Sequence, residues 1–267
     1  MKNKLFYKIE GNGLPLLLIH GFTGSHKSFD DISKYLQQFF KIIRIDLIGH
    51  GKSMNEDESL YSFKNSIESI LEIIDELRII KVNLLGYSLG GRNAMHFASK
   101  FKERVNKLIL CSSSYGLESQ LEKDKRIKSD QRLVNLLENN KLKEFVEYWE
   151  SLPLWNSENR LSIEKKKNHR KIRLSNNPYG LALNLKHQGQ GKQNNLLSEL
   201  KKINTKTLIL YGEKDNKYKK LSTKLEKTIR KSKTIMVPES GHNIILENPI
   251  YVSRAVKNFI LGDTYVN

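Results

Sequence analysis

Val82-Asn83-Leu84-Leu85-Gly86-Tyr87-Ser88-Leu89-Gly90-Gly91-Arg92 decides how this chain is read. A mostly apolar run passes straight into Gly-x-Ser-x-Gly. A helical pattern follows, with Ala94, Met95, Phe97 and Ala98 on its apolar face. Strand, sharp turn and helix is the setting in which that motif becomes a nucleophile elbow, its serine hydroxyl projecting from the end of a sheet. Ser88 is therefore the candidate nucleophile. Gly86 and Gly90 are expected where a Cβ would collide with neighbouring backbone. The helix beginning at Ser88 turns its positive end toward whatever Ser88 holds.

Outward from this stretch, continuous apolar runs at 5–9, 16–19, 42–45 and 108–111 read as strands, most of them buried on both faces. Helical patterns at 29–40 and 63–77 lie between them. Such alternation argues for a parallel sheet with helices on both faces. The pattern breaks after Gly116. From there to 203 the periodicity is helical, with candidates at 130–138, 142–149, 163–174 and 180–185 and turns at Pro153 and Asn176-Asn177-Pro178. Alternation resumes with a strand at 207–211, a helix at 222–229, a strand at 234–237 and a closing helix at 251–261. The expected architecture is α/β, of the α/β-hydrolase fold: a mostly parallel sheet flanked by helices, built from residues 1–115 and 204–267. Residues 116–203 form an inserted all-helical cap over the strand ends, where such folds place their sites.

Two groups then fall after strands. Asp215 closes Tyr211-Gly212-Glu213-Lys214-Asp215, and His242 follows Pro238-Glu239-Ser240-Gly241. Ser88, Asp215, His242 is the chain order of the α/β-hydrolase triad. A serine hydroxyl is a poor base or nucleophile until an imidazole accepts its proton. The carboxylate holds the imidazole in one tautomer and stabilises the imidazolium. Glu213 competes with Asp215 for that place. His20 and His50 also follow strands, but they precede Ser88, the wrong order. His26, His96, His169 and His187 lack the strand-end context and read as surface or packing residues. Asp46, heading a glycine-rich turn, reads as a structural group bonding local backbone N–H. The turn His20-Gly21-Phe22-Thr23-Gly24 presents bare backbone donors. Paired with the elbow, the N–H groups of Phe22 and Leu89 are expected to form an oxyanion hole. Arg92 lies one helical turn beyond Ser88 on the same face. It either bridges to a core carboxylate or grips a carboxylate-bearing substrate.

Composition narrows the classes. At 267 residues with 38% hydrophobic content, the chain can bury a sizeable core. A single cysteine, Cys111, excludes a disulfide framework and a cysteine-based metal site, and it fits a reducing, cytoplasmic compartment. Met1-Lys2-Asn3-Lys4 leads directly into a strand-like run, so no signal peptide is expected. No run approaches the ~20 apolar residues of a membrane span. The formal charge is +17, and residues 116–203, with 18 Lys and Arg against 11 Asp and Glu, carry +7 of it. A charge spread this evenly argues against a nucleic-acid patch and suits attraction of a small anionic substrate. No metal, cofactor or particular oligomeric state is called for by the pattern.

Gly86-Tyr87-Ser88-Leu89-Gly90-Gly91-Arg92 resembles the signature of the 2-succinyl-6-hydroxy-2,4-cyclohexadiene-1-carboxylate synthases, the MenH family of menaquinone biosynthesis. Cap segments carry the resemblance more specifically: Ser114-Tyr115-Gly116-Leu117 with Arg126 and Ser129-Asp130, the run 147–155 from Glu147 to Trp155, Arg173-Leu174-Ser175, Gly180-Leu181-Ala182, and 188–193 from Gln188 to Gln193. The likeness covers nearly the whole chain. It implies a lyase that takes a ring proton and eliminates pyruvate from 2-succinyl-5-enolpyruvyl-6-hydroxy-3-cyclohexene-1-carboxylate. It further implies that Ser88, helped by His242, is the base, that Arg92, Arg126 and Arg173 meet the substrate carboxylates, that Trp149 is a pocket residue, and that Tyr87, beside the nucleophile, binds the substrate through a hydrogen bond. Read by themselves, Arg126 and Arg173 also suit a solvated helix face, and Trp149 suits a core between cap helices. The triad alone would equally serve an esterase or a carbon–carbon hydrolase acting on a carboxylate-bearing small molecule.

Overall fold

Successive residues of the strand Leu14–Ile19 pass to opposite faces of one sheet: Leu17 and Ile19 enter one buried cluster, Leu16 and Leu18 the other. The structure, a computed structural model, describes residues 4–262. Met1–Asn3, where no signal peptide is expected, lie outside the described residues. The strands are β1 (Tyr7–Glu10), β2 (Leu14–Ile19), β3 (Phe40–Ile45), β4 (Val82–Tyr87), β5 (Val105–Cys111), β6 (Lys206–Gly212) and β7 (Ser232–Val237). They form one sheet in the order β1-β3-β2-β4-β5-β6-β7, parallel throughout except for β1 against β3.

The helices are α1 (Asp30–Leu36), α2 (Phe63–Glu76), α3 (Leu89–Lys100), α4 (Gln120–Glu138), α5 (Leu142–Glu150), α6 (Ile163–Leu174), α7 (Pro178–Gln188), α8 (Leu197–Leu200), α9 (Asn216–Thr228), α10 (Ile244–Glu247) and α11 (Pro249–Leu261). Apolar residues of α2, α3 and α9 cover one face of the sheet, and those of α1, α10 and α11 the other. A third cluster unites Leu133, Leu137, Phe145, Trp149, Trp155 and Leu181 from the helices between β5 and β6. Leu196 and Leu200, at the end of the expected insertion, pack with the sheet cluster instead. Among the described residues no helix is long and apolar enough to cross a membrane.

Several element limits differ from the sequence expectation, each for a local reason. The helix expected at 29–40 is a 3-10 turn, His26–Phe29, followed by α1, which stops at Leu36 because Phe40 already pairs in β3 opposite Leu14. The helix expected at 130–138 is only the second half of α4. Its start is set by a capping box between Ser119 and Glu122, in a polar stretch with no apolar period to reveal it. The helix expected at 222–229 begins at Asn216, capped by Asp215. Pro153, read as a turn, opens a 3-10 helix, Pro153–Arg160.

One buried charge ties the sheet edge down. Arg44 reaches Glu10 at 2.5 Å, pairs with Asp30, and donates to the His26 carbonyl at 3.0 Å. Burial alone would raise the Glu10 carboxyl. Hydrogen bonds from Lys8 and Ser33 and the Arg44 guanidinium outweigh it and lower the group from 4.5 to about 2. A depressed acid adds stability above its unfolded value and loses it as pH falls toward the folded one. The unfolding free energy should therefore drop by about 2–3 kcal/mol through Glu10 between pH 4.5 and 2. Denaturant titrations of the parent and Glu10→Gln at pH 6 and pH 3 should show a shallower fall in the variant.

Candidate active site

Ser88 sits between β4 and α3 with φ 51° and ψ −108°, a strained conformation for a residue with a side chain. Close packing enforces the turn. A Cβ on Gly86 would lie 2.3 Å from the Gly90 carbonyl oxygen, and one on Gly90 would lie 2.0 Å from that of Ile19. The Ser88 N–H donates to the Cys111 carbonyl at 2.9 Å, and its own carbonyl accepts the Arg92 N–H at 3.1 Å.

Loops after β6 and β7 bring the other two groups. His242 Nε2 lies 3.1 Å from Ser88 Oγ, and His242 Nδ1 lies 3.1 Å from Asp215 Oδ2. The second Asp215 oxygen accepts the Tyr218 N–H at 3.1 Å, which fixes the carboxylate as the cap of α9. An ionised Asp215 selects the Nδ1–H tautomer, leaving Nε2 to accept the serine proton. Glu213, the competing carboxylate, accepts the Glu239 N–H at 2.7 Å instead and makes no contact of this kind with His242. Among the described residues, neither the Phe22 nor the Leu89 N–H has a protein acceptor. Leu89 is the first residue of α3, where such a donor is unpaired by construction.

A cavity of about 310 Å³ opens over Ser88 and His242 and is lined by Tyr87, Arg92, Arg126, Trp149 and Arg173, among others. That volume suits a small ligand. Arg92 is buried and has no carboxylate partner among the described residues. Its Nη1 donates to the Gln188 carbonyl at 2.5 Å, and its guanidinium lies 5.7 Å from the Phe63 ring. Burial, then the neighbouring Arg126, lowers its pKa to about 10, so it stays charged at neutral pH. Arg126 is bound to Asp130 at 2.8 Å and to Gln190. Arg173 is more fully compensated: Glu150 lies at 2.9 Å, Glu158 at 3.7 Å, and the Trp155 ring at 5.1 Å. Trp149 packs on Phe22 at 5.5 Å and on Phe145 at 6.0 Å, so it belongs to the third apolar cluster and to the cavity wall together. The Tyr87 hydroxyl is buried with no hydrogen-bond partner among the described residues, and burial raises its pKa well above the ordinary value.

Other cavity residues carry little signal in the sequence. The Tyr218 ring lies 4.4 Å from that of His242, tilted by 46°, and the Trp155 ring lies 5.6 Å from it. Trp155 falls within a resembling cap segment, which is the one clue to it. Lys217 lines the rim, held below its ordinary pKa by desolvation and by Arg126 and Arg92. His169, read as a surface or packing residue, lines the cavity 3.8 Å from Glu158. It sits one turn before Arg173 in a Lys-rich helix whose polar residues give no pattern. His26 bonds Asp46 at 2.9 Å, His96 stacks on Phe63, and His187 lies 2.7 Å from Glu58, all away from the cavity. Asp46 also accepts the N–H groups of His26 and Lys52, a turn-holding role.

A sequence profile of the alpha/beta hydrolase fold matches residues 15–249. A Bacillus subtilis (strain 168) protein provisionally named 2-succinyl-6-hydroxy-2,4-cyclohexadiene-1-carboxylate synthase is 35% identical over 249 residues, spanning 92% of this chain and 89% of its own. The Enterobacter sp. (strain 638) protein of that name is 26% identical, spanning 93% of this chain and 92% of its own. The solved structure of MenH from S. aureus matches with a TM-score of 0.92 at 30% identity, covering 96% of this chain and 98% of that one. A thermophilic esterase from Thermogutta terrifontis, solved with malate bound, matches with a TM-score of 0.84 at 25% identity, covering 97% and 93%. The chain belongs to the α/β-hydrolase fold family and, within it, to the 2-succinyl-6-hydroxy-2,4-cyclohexadiene-1-carboxylate synthases, lyases of menaquinone biosynthesis.

Proposed function

We propose that Ser88, Asp215 and His242 act as a catalytic triad that removes a proton rather than attacking a carbonyl. The names of substrate and product define the step. The hydrogen on ring carbon 2, beside the succinyl ketone, leaves as a proton. Its electron pair forms the bond between carbons 2 and 3, the double bond between carbons 3 and 4 moves to carbons 4 and 5, and the carbon 5–oxygen bond breaks. The enolpyruvate so released becomes pyruvate. His242 takes the Ser88 proton, and the Ser88 oxygen takes the ring proton. Charge that develops on the succinyl carbonyl oxygen is met by the Phe22 and Leu89 N–H groups.

Arg92, Arg126 and Arg173 bind the three substrate carboxylates, with Trp149 and Tyr87 as cavity wall. Residues 116–203 serve as the cap over residues 1–115 and 204–267. The observation that carries this reading is Arg92: a buried guanidinium with no carboxylate partner among the described residues, one turn from Ser88, is costly unless an anion meets it. The partner is thus a small anionic substrate, and a lone buried cysteine suits a cytoplasmic site of action.

The test is to incubate the protein with 2-succinyl-5-enolpyruvyl-6-hydroxy-3-cyclohexene-1-carboxylate and follow pyruvate through lactate dehydrogenase. One pyruvate per substrate is expected. The similarity to the malate-bound esterase supports a second reading, hydrolysis of a carboxylate-bearing ester through an acyl-serine. Absence of pyruvate, together with a burst of product from an activated ester, would replace the first reading by the second.

A further inference from the structure

The 3-10 helix Pro153–Arg160 belongs to the inserted segment, yet it holds the loop that carries His242. Ser157 Oγ donates to Glu247 Oε1 at 3.1 Å, and both Glu247 oxygens accept the Gly241 N–H at 3.1 Å. Arg160 reaches Glu239 at 3.0 Å and Glu247 at 3.8 Å. Between them stands Glu158, buried, whose Oε1 accepts a hydrogen bond from Asn243 Nδ2 at 2.8 Å. Its other oxygen lies 3.7 Å from Arg173 Nη2 and 3.8 Å from His169 Nδ1. Glu158 therefore touches a cavity-lining guanidinium and, at once, the side chain next to His242. Burial favours its neutral form, but His169, Arg173 and Asn243 outweigh burial and lower its pKa, so the acceptor is charged and the hydrogen bond strong.

We propose that Glu158 is a positioning residue for the elimination: through Asn243 it seats His242 against Ser88, and through Arg173 it keeps that seat in register with the bound substrate carboxylate. The inference rests on the reading of His242 as the partner of Ser88. The Asn243 side chain donates to Glu158, and its Oδ1 is buried with no hydrogen-bond partner among the described residues. Removing Glu158 thus leaves the Asn243 amide without its acceptor and free to turn. Because Asn243 follows His242 by one peptide bond, the 3.1 Å contact to Ser88 shifts with it.

The experiment measures kcat and KM for pyruvate release by the full chain and by Glu158→Ala, Glu158→Gln, Asn243→Ala and the Glu158→Ala/Asn243→Ala pair. Glu158→Ala should lower kcat by about 10- to 100-fold, as a misplaced catalytic group does. Asn243→Ala should reproduce that loss, and the pair should lose no more than either alone. Glu158→Gln keeps an acceptor oxygen for Asn243 and should retain kcat. Its KM should fall, because Arg173 loses a competing carboxylate. If Glu158→Ala does not fold, Asn243→Ala and Glu158→Gln carry the same contrast. A parental kcat in Asn243→Ala, an equal loss of kcat in Glu158→Gln, or additive losses in the pair would overturn the proposal. Undiminished turnover by Ser88→Ala would instead remove the reading on which it rests, whatever Glu158 shows.

Discussion

Ser88→Ala is expected to lower kcat for pyruvate release by roughly 10²–10⁴-fold, the usual contribution of a positioned general base, with the fold intact. The hydroxyl makes one side-chain contact of note, to His242 Nε2. Alanine keeps the Cβ, so the strained turn at φ 51° is neither relieved nor worsened. A thermal melt close to the parent's, alongside the collapsed rate, separates loss of chemistry from loss of structure. His242 cannot replace the serine oxygen, because its Nε2 stands one hydrogen bond further from the position that oxygen occupies.

The second large effect is on binding. Arg92→Met should raise KM by roughly 30- to 1,000-fold, corresponding to about 2–4 kcal/mol for a desolvated charge pair with one partner truncated. The stability of the free protein should change little. Two terms of opposite sign meet there: the lost bond to the Gln188 carbonyl destabilises, and removal of a buried charge with no carboxylate partner among the described residues stabilises. Arg173 behaves differently. Glu150 and Glu158 already flank it, so Arg173→Met takes a cation from both, leaving Glu150 with Arg170 and Glu158 with the Asn243 amide, and should cost stability as well as affinity. Thermal melts of the two variants, beside their KM values, check the contrast.

The parts of this molecule that show in the sequence are those whose residues act locally. A buried strand running into Gly-x-Ser-x-Gly and then a helix specifies its turn within seven residues, since Gly86 and Gly90 admit no side chain there. Asp215 and His242 stand out because each follows an apolar run. Charged stretches hide their structure. The first half of α4 and the start of α9 are so polar that no apolar face marks them, and only their caps, Ser119 and Asp215, do. The 3-10 helix Pro153–Arg160 has no long periodicity at all, yet it supplies Trp155 and Glu158. His169 and Glu158 are ordinary polar residues until folding sets them 3.8 Å apart beside Arg173. Charge partners of this kind are tertiary facts. A count of arginines shows that cations are available, but it does not show that Arg173 is already paired with carboxylates while Arg92, among the described residues, is not.

The central claim is that the Ser88–His242 pair breaks a carbon–hydrogen bond. Its most direct test is a single-turnover measurement, with protein in excess, of pyruvate release from substrate bearing hydrogen or deuterium at ring carbon 2. The claim predicts severalfold slower release from the deuterated substrate and an unmodified Ser88 in the quenched protein. Equal rates from the two substrates, with an ester adduct on Ser88, would contradict it.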